Sequence, residues 1–372
     1  MQKVWLYLEN GDFFEANSFG ADTTCVGKLV FNTSFTAYQE SITDPSSYGL
    51  FISFNTPEIG NVGINKDDFE SNQVHASGVI VRSYNDAYSN FRAEDSLANL
   101  LKSNNKIGIC DIDTRYLTKL IKKHGNINMI ASTTISSKDE LAKKLKEEQN
   151  KKQETDIIDM ISTKEPYVHK SSAWNPIAFA YEPAIMSNKK IVVIDFGVKK
   201  ATLNELVSCG LEVEVVPASF DVELIIQRFE QGEIGGVVLS NGPELLDGLD
   251  SKINGVKKLI SKEIPMFAIG LGHQIVALSY GVAVETLGSV QHIGSHPIKV
   301  DNKVEISSQA HTKSVSKEIE EFANISHISL FDSSVEGLRY KDKPIISVQY
   351  IPEAHDTKHI FKEFASMVKE SN

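Results

Sequence analysis

The stretch Ile264–Gly281, IPMFAIGLGHQIVALSYG, decides which fold the second half of the chain adopts. Its apolar start predicts a buried strand, and the apolar residues from Ile275 onward recur at helical spacing. A sharp turn from strand to helix presents one residue beside the N–H groups of the helix N-terminus, which can bind an oxyanion. That residue is Gly270, which has no side chain to attack a substrate. The stretch therefore predicts the geometry of a nucleophile site without a nucleophile.

Strands and helices alternate on either side of this elbow. Continuous apolar strands are predicted at 190–195, 212–216 and 236–239, with helices between them. Fully apolar strands that alternate with helices indicate a parallel sheet that is covered on both faces. We therefore predict a doubly wound α/β domain over residues 189–372.

The first part of the chain has a different pattern, which predicts a mixed α/β domain over residues 1–150 with mostly non-alternating topology. Short β-rich runs and turn residues come first, and amphipathic helices are predicted at 93–102 and 115–124. A charged, solvated helix is predicted at 138–156. Prolines and a loss of periodicity predict a linker over 151–188.

The bulk composition of the 372 residues limits the classes of function. Hydrophobic residues make up 41% and charged residues 23%, as is typical of a globular protein. The net charge of −11 argues against a general nucleic-acid or membrane-surface binder. The three cysteines are too few and too scattered to predict a disulfide framework or a zinc site. No apolar run approaches the roughly 18 to 20 residues of a membrane span, and we expect a cytoplasmic protein.

Residues for nucleophilic catalysis are incomplete at the carboxyl ends of the predicted strands, where such a sheet collects function. A nucleophile site needs an attacking atom, a base, and a group that orients the base. The sequence offers only the third, Glu353, which follows a strand and a proline. The loop 240–243, SNGP, could offer N–H groups to an oxyanion, although this segment alone favours a plain strand-to-helix turn.

The histidines do not supply the missing base. His273 lies inside the elbow turn, where packing or capping is expected rather than catalysis. His292, His296 and His311 lie in a segment that is predicted to be rich in loops. They have no acidic or cysteine partner at the spacing of metal ligands, so no metal site is predicted.

Long blocks of the N-terminal part carry a family resemblance: FNTSFTAYQESITDP (31–45), PEIGNVGIN (57–65), SNQVHASGVIVR (71–82), SNFRAEDSL (89–97) and DIDTRYLTKLI (111–121). With them, the chain resembles the small subunit of carbamoyl phosphate synthetase along nearly its whole length. The C-terminal half is similar to a class I glutamine amidotransferase domain in four segments, KIVVIDFGVKK, LSNGP, FAIGLGHQIVALSYG and SLFDSSVEGL.

The resemblance implies a reaction and a partner. In this family the small subunit hydrolyses glutamine and passes ammonia through a tunnel to a large subunit, which makes carbamoyl phosphate. ATP and Mg²⁺ are expected on the large subunit, with no cofactor in this chain and no nucleic-acid or membrane partner. Domain 1–150 is expected to dock on the large subunit. Whether the product serves arginine or pyrimidine biosynthesis stays open.

The family's reactive motifs, FGICLGHQ and GHPE, are altered in this chain. Laid on this sequence, they put the nucleophilic cysteine at Gly270 and the catalytic histidine at Ile351. Glu353 is the only member of the triad that is retained. Losing the nucleophile of a coupled triad costs about 10⁶ in rate, so we expect no useful glutaminase activity.

The substrate positions that the resemblance implies are partly kept and partly changed. Four positions that contact glutamine or its intermediate still match: Ser46, Gly242, Leu271 and Gln274. Four others differ from the family's SNGPGDP and QNHGF segments: Glu244, Ala310, Thr312 and Lys313. Bulk and charge from Glu244, Tyr350 and Ile351 are expected where the backbone of the substrate should lie, so we expect weak or absent glutamine binding.

Three hypotheses follow from these residues. The first is a carbamoyl phosphate synthetase small subunit that docks on a large subunit and supports synthesis from free ammonia. The second is a glutaminase with a substitute nucleophile, for which Cys209 is the only cysteine in the catalytic domain. The third is a non-catalytic binding protein, in which Glu244, His311 and Lys313 would contact another metabolite.

Overall fold

The chain divides into two compact units, Met1–Glu154 and Thr155–Asn372. The computed structural model describes residues 2–34, 36–125, 127–150, 157–175, 177–184, 188–287 and 293–370. None of the helices in these ranges is long and apolar enough to cross a lipid bilayer.

The first unit is built around a closed barrel of β-strands. The strands of this unit are β1 (Gln2–Leu8), β2 (Phe13–Ser18), β3 (Thr24–Asn32), β4 (Leu50–Phe54), β5 (Glu58–Ile59), β6 (Gly78–Ile80), β7 (Ser83–Tyr84), β8 (Ile107–Cys110) and β9 (Ile127–Ser132). The barrel order is β1-β2-β8-β6-β4-β3-β9, with parallel and antiparallel pairs, while β5 and β7 pair separately. Alternate residues of β1 face the core, as a half-buried strand requires: Val4, Leu6 and Leu8 are fully buried.

The first unit also contains helices, some of which are capped by a side chain at the N-terminus. They are α1 (Tyr38–Thr43), α2 (Leu97–Ser103), α3 (Thr114–His124) and α4 (Lys138–Asn150), with a 3₁₀ helix at Pro45–Ser47. The helix predicted at 93–102 begins only at Leu97, because the Ser96 hydroxyl accepts a hydrogen bond from the Asn99 N–H and so caps it. The predicted helix 138–156 extends to Asn150, and residues 151–156 lie outside the described part of the chain.

The second unit contains a ten-stranded sheet whose central strands are parallel. The strands of this unit are β10 (Tyr167–His169), β11 (Ser171–Asn175), β12 (Ala180–Pro183), β13 (Lys190–Asp195), β14 (Glu212–Pro217), β15 (Gly236–Leu239), β16 (Met266–Ile269), β17 (Val284–Thr286), β18 (Ile293–Val300), β19 (Lys303–Ala310), β20 (Lys313–Val315), β21 (Ala323–Ser329), β22 (Val335–Tyr340) and β23 (Ile345–Val348). The sheet order is β10-β14-β13-β15-β16-β23-β22-β21-β18-β19, with small separate pairs β11–β12 and β17–β20.

Helices pack on both faces of this sheet, as the doubly wound prediction requires. They are α5 (Ile157–Ile161), α6 (Lys200–Ser208), α7 (Val222–Glu230), α8 (Asp250–Ser261), α9 (Leu271–Ser279) and α10 (His359–Met367), with a 3₁₀ helix at Lys317–Glu321. One buried cluster joins the sheet to α7, α8 and α9, and a second joins it to α6 and α10. The α/β fold class is therefore confirmed for this unit, with continuous apolar strands between two helical layers.

The segment between the predicted domains contributes elements to the second unit. Within the predicted linker 151–188, β10 forms the edge strand of the large sheet and pairs antiparallel with β14. The Ser162 hydroxyl also accepts a hydrogen bond from the Ala218 N–H at 2.9 Å. The domain boundaries at 150 and 188 remain predictions.

Candidate active site

The elbow has the strained geometry that its sequence predicts. Gly270 joins β16 to α9 with φ 53° and ψ −109°, a backbone conformation that favours glycine. Its N–H donates to the Val348 carbonyl at 2.8 Å, and its carbonyl accepts from the Gln274 N–H at 3.1 Å. These two hydrogen bonds attach the turn to β23 on one side and to the first turn of α9 on the other.

Close packing around the elbow explains two of its glycines. A Cβ at Gly272 would collide with the Leu239 carbonyl, and a Cβ at Gly242 would collide with the Phe196 carbonyl. The Gly272 N–H donates to the Ser240 carbonyl at 3.1 Å. The start of α9 therefore lies directly against the loop that follows β15. Gly242 and Leu271 are neighbours there, since a Cβ at Gly242 would lie 3.1 Å from the Leu271 side chain.

Gly270, at the position predicted for the nucleophile, has no side chain, although the surrounding atoms leave room for one. A Cβ at Gly270 would meet the Asn241 Cβ at 3.4 Å and the Gln349 carbonyl oxygen at 3.8 Å, which are ordinary contact distances. No neighbouring atom therefore excludes a Cβ here, although the positive φ still favours glycine.

The other two positions that the sequence predicts for the triad lie on the segment that follows β23. Ile351, at the histidine position, is half-buried, and its N–H donates to the Ser308 carbonyl at 2.8 Å. An isoleucine side chain can neither accept nor donate a proton. The retained Glu353 accepts a short hydrogen bond from the hydroxyl of Thr202 on α6. The acid that would orient a catalytic base is bonded to a threonine instead.

The buried histidines have structural partners. His273 is fully buried, its Nδ1 lies 2.8 Å from the Ser347 Oγ, and burial with the nearby His311 and His327 lowers its pKa to about 3. His311 Nε2 pairs with the buried Glu336 carboxylate at 3.3 Å. Burial opposes the charged form of His311, yet the carboxylates of Glu336, Glu244 and Asp332 together outweigh burial and raise the pKa of His311.

The prediction of a loop-rich segment around the histidines is wrong for the residues that the structure describes. His296 lies within β18, and His311 follows β19 directly. Their strands form an antiparallel hairpin, which a search for continuous apolar runs misses because its residues alternate in burial. His292 lies outside the described residues.

The diverged substrate positions converge on one carboxylate. Glu244 Oε2 accepts from the Thr312 N–H at 2.8 Å and from the Thr312 hydroxyl at 2.6 Å. Glu244 Oε1 accepts from the Lys313 N–H at 3.2 Å and from Gln274 Nε2 at 3.4 Å. Glu244, Thr312 and Lys313, three of the four diverged residues, therefore form one cluster with the retained Gln274. The fourth diverged residue, Ala310, is half-buried at the end of β19.

Sequence reasoning missed one contributor to this cluster. Gln349 is buried, and its Oε1 accepts from Gln274 Nε2 at 3.1 Å. Its place two residues before Ile351 in the stretch SVQYIPE was the available signal, since residues at i and i+2 of an extended segment share a face.

The expectation that Tyr350 adds bulk to the substrate pocket is wrong. Its side chain is fully buried in the cluster that joins the sheet to α6 and α10. There the ring packs edge-on against His327, with centroids 5.7 Å apart. Gln349, by contrast, contacts Gln274 of α9, so the two neighbours point to opposite faces, as adjacent residues of an extended segment do.

Ser46, the retained substrate position of the first unit, is bonded locally. Its N–H and its hydroxyl both donate to the Asp44 carboxylate, at 2.8 Å and 2.7 Å. This arrangement caps the 3₁₀ helix Pro45–Ser47 and holds the serine in a defined position.

The cysteines of the chain are not activated thiols. Burial, and then Glu205, raises the pKa of the Cys209 thiol to about 11. Burial, and then Asp111, raises the pKa of Cys110 to about 12, and burial also raises the pKa of Cys25. Since the thiolate is the nucleophile, a raised pKa argues against catalysis. Cys209 also follows α6 and precedes β14, so it lies where the parallel strands begin, whereas the elbow lies where they end.

No cluster of three or more His, Cys, Asp or Glu residues with metal-binding geometry occurs within the described ranges. What the site does contain is a complete elbow, a buried amide network and a carboxylate held by four donors. In the described part of the chain, Gly270 has no side chain that could attack a substrate, and the Ile351 side chain cannot act as a base.

Two family models match the chain in succession. Residues 6–131 match the carbamoyl-phosphate synthase small chain, CPSase domain, and residues 192–367 match glutamine amidotransferase class-I. A carbamoyl phosphate synthase small chain from Helicobacter hepaticus is 47% identical over 99% of this chain and 98% of its own length. One from Campylobacter jejuni is 46% identical over 98% of this chain and 100% of its own length.

The likeness to solved structures is weaker. A glutamine amidotransferase from Thermotoga maritima is 16% identical, covers 47% of this chain and 80% of that one, and has a TM-score of 0.37.

Proposed function

The chain belongs to the family of carbamoyl phosphate synthase small chains, and we propose that within this family its own glutaminase centre is silent. The observation that carries the proposal is the elbow: the strained turn is present, and Gly270 leaves it without a nucleophile. Ile351 at the histidine position removes the base as well.

The chemistry of amide hydrolysis supports this proposal. A covalent glutaminase needs a thiolate to attack the side-chain amide and a base to move the proton. Without the nucleophile, the rate falls by about 10⁶, and the remaining groups only bind. Glu353 accepts a hydrogen bond from Thr202, and the position predicted for the imidazole that it would orient holds Ile351.

The proposed role is that of a docked, structural subunit. The family model for the small-chain domain covers residues 6–131, and a small chain implies a large synthetase chain as its partner. We propose that this chain associates with such a partner in the cytoplasm, and that the complex makes carbamoyl phosphate from free ammonia. ATP and Mg²⁺ would bind to the large chain.

A covalent trap tests the silent centre directly. An amino acid with a diazo ketone in place of the glutamine amide alkylates a glutaminase thiol and adds a fixed mass. We expect no labelled cysteine in this chain. Labelling of Cys209 that abolishes a measurable glutamine turnover and disappears in Cys209→Ala would contradict the proposal and favour a substitute nucleophile.

Co-purification tests the docking role separately. The chain, expressed together with the matching large subunit and carrying the only affinity tag, should retain that subunit through gel filtration. A chain that elutes alone at every concentration would contradict the docking role. The proposal that the glutaminase centre is inactive would be unaffected by that result.

A further inference from the structure

The Glu244 carboxylate occupies a site with the shape of a carboxylate-binding cradle. Consecutive backbone N–H groups of Thr312 and Lys313 point at it, with distances of 2.8 Å and 3.2 Å. Successive N–H groups that converge on one point capture carboxylates in many peptide-binding proteins. The Thr312 hydroxyl and Gln274 Nε2 complete the set, at 2.6 Å and 3.4 Å.

The donors saturate this carboxylate. Each of its oxygens receives two of the four donors, and an ionised carboxylate has about four lone-pair sites. Hydrogen bonds to an ionised acceptor are stronger than neutral ones. A second carboxylate would therefore find no donor left in the cradle.

The chain holds Glu244 in this position from both sides. Gly242 fits against the Phe196 carbonyl, where no larger residue could lie, and Pro243 follows it with a fixed φ. At the other end, Lys313 Nζ donates to the Glu244 main-chain carbonyl at 3.3 Å. A tethered group competes with a free ligand at a high effective concentration, without the entropy cost of association.

We infer that Glu244 is an internal ligand, and that its side chain fills a binding site for small carboxylic acids formed by Gln274, Thr312 and Lys313. Removal of the side chain opens that site to an external carboxylate, such as acetate or the α-carboxylate of an amino acid. This inference deepens the proposed function, since it gives a physical reason for weak glutamine binding. Only this link to glutamine binding rests on the proposed function. The cradle itself is defined by the positions of its hydrogen-bond donors.

Chemical rescue tests the inference. In Glu244→Ala the missing fragment is close to acetate in size and charge. Potassium acetate should raise the melting temperature of this variant saturably, compared with potassium chloride at equal ionic strength. Half-saturation is expected on the order of 1–10 mM, since acetate has few atoms to bind with. Wild type should show no saturable rise.

Asp247→Ala is the matched control, because it removes an exposed carboxylate from the same loop. It should behave as wild type in acetate. An equal response in all three proteins, or no response in Glu244→Ala, would overturn the inference.

A second variant keeps the test decisive if Glu244→Ala fails to fold. Glu244→Gly carries the residue that the related SNGPGDP loop has at this position, and acetate or L-glutamate should stabilise it in the same saturable way. No stabilisation of Glu244→Gly by either would overturn the inference. Because the readout is binding and not turnover, either result leaves the silence of the glutaminase centre to be judged by the covalent trap.

Discussion

Gly270 holds a backbone conformation that an L side chain adopts only under strain, with φ 53° and ψ −109°. The surrounding atoms leave room for a Cβ, since the nearest is the Asn241 Cβ at 3.4 Å. The elbow therefore has a geometry that would expose a side chain, but the residue at this position is a glycine. Strained backbone of this kind clusters at functional sites in proteins.

Substituting alanine at this position separates strain from collision. Gly270→Ala should lower the free energy of unfolding by about 1–2 kcal/mol, because only the positive φ is unfavourable. Gly272→Ala should cost clearly more, since its Cβ would collide with the Leu239 carbonyl. Urea denaturation of both variants measures the free energy of unfolding. An equal decrease in the two variants would contradict the distinction between backbone strain at Gly270 and collision at Gly272.

Restoring the nucleophile alone should not restore the reaction. Gly270→Cys should remain silent with glutamine, because Ile351 cannot take up a proton and Glu244 still fills the cradle. The triple variant Gly270→Cys, Ile351→His, Glu244→Gly should become reactive to the diazo ketone trap, read by mass spectrometry. Turnover by Gly270→Cys alone would mean that another residue serves as the base.

Buried histidines couple the elements of the second unit to pH. His273 on α9 bonds to Ser347 on β23, and His327 on β21 packs against Tyr350. Burial lowers the pKa of both rings to about 3, so both are neutral in the folded chain at neutral pH. The contacts between α9 and the sheet depend on this neutrality.

The stability of the second unit should therefore fall in mild acid. An unfolded histidine titrates near pH 6.5, so below that pH the unfolded chain binds more protons than the folded chain. The stability that depends on the neutral rings is complete above about pH 6.5 and is lost as the pH falls towards 3. Each ring can contribute a slope of up to about 1.4 kcal/mol per pH unit.

The variant His273→Asn isolates one of these rings. It should unfold with a shallower pH dependence between pH 6.5 and pH 4, measured by urea denaturation, although its stability at pH 7.5 is lower. His311 titrates in the opposite sense, since its raised pKa contributes stability that is lost as the pH rises through that value. An unchanged slope in His273→Asn would contradict the account of the buried ring.

The whole molecule combines features that the sequence predicts with features that it cannot. The elbow and its parallel strands were predictable because their signals are local: apolar runs, glycine turns and helical spacing. The closed barrel was not, because it depends on long-range pairing such as that of β1 with β9. The Glu244 cluster is equally non-local, since Glu244 and Thr312 are separated by 68 positions in the chain.

Synthesis of carbamoyl phosphate by the assembled complex tests the central claim most directly. The chain and its matching large subunit would receive ATP, Mg²⁺ and bicarbonate, with either glutamine or ammonium chloride as the nitrogen source. The account predicts product with ammonium chloride and none above background with glutamine. Glutamine-dependent synthesis at a rate comparable to the ammonium rate would contradict it, and would mean that the chain hydrolyses glutamine without a nucleophile at Gly270.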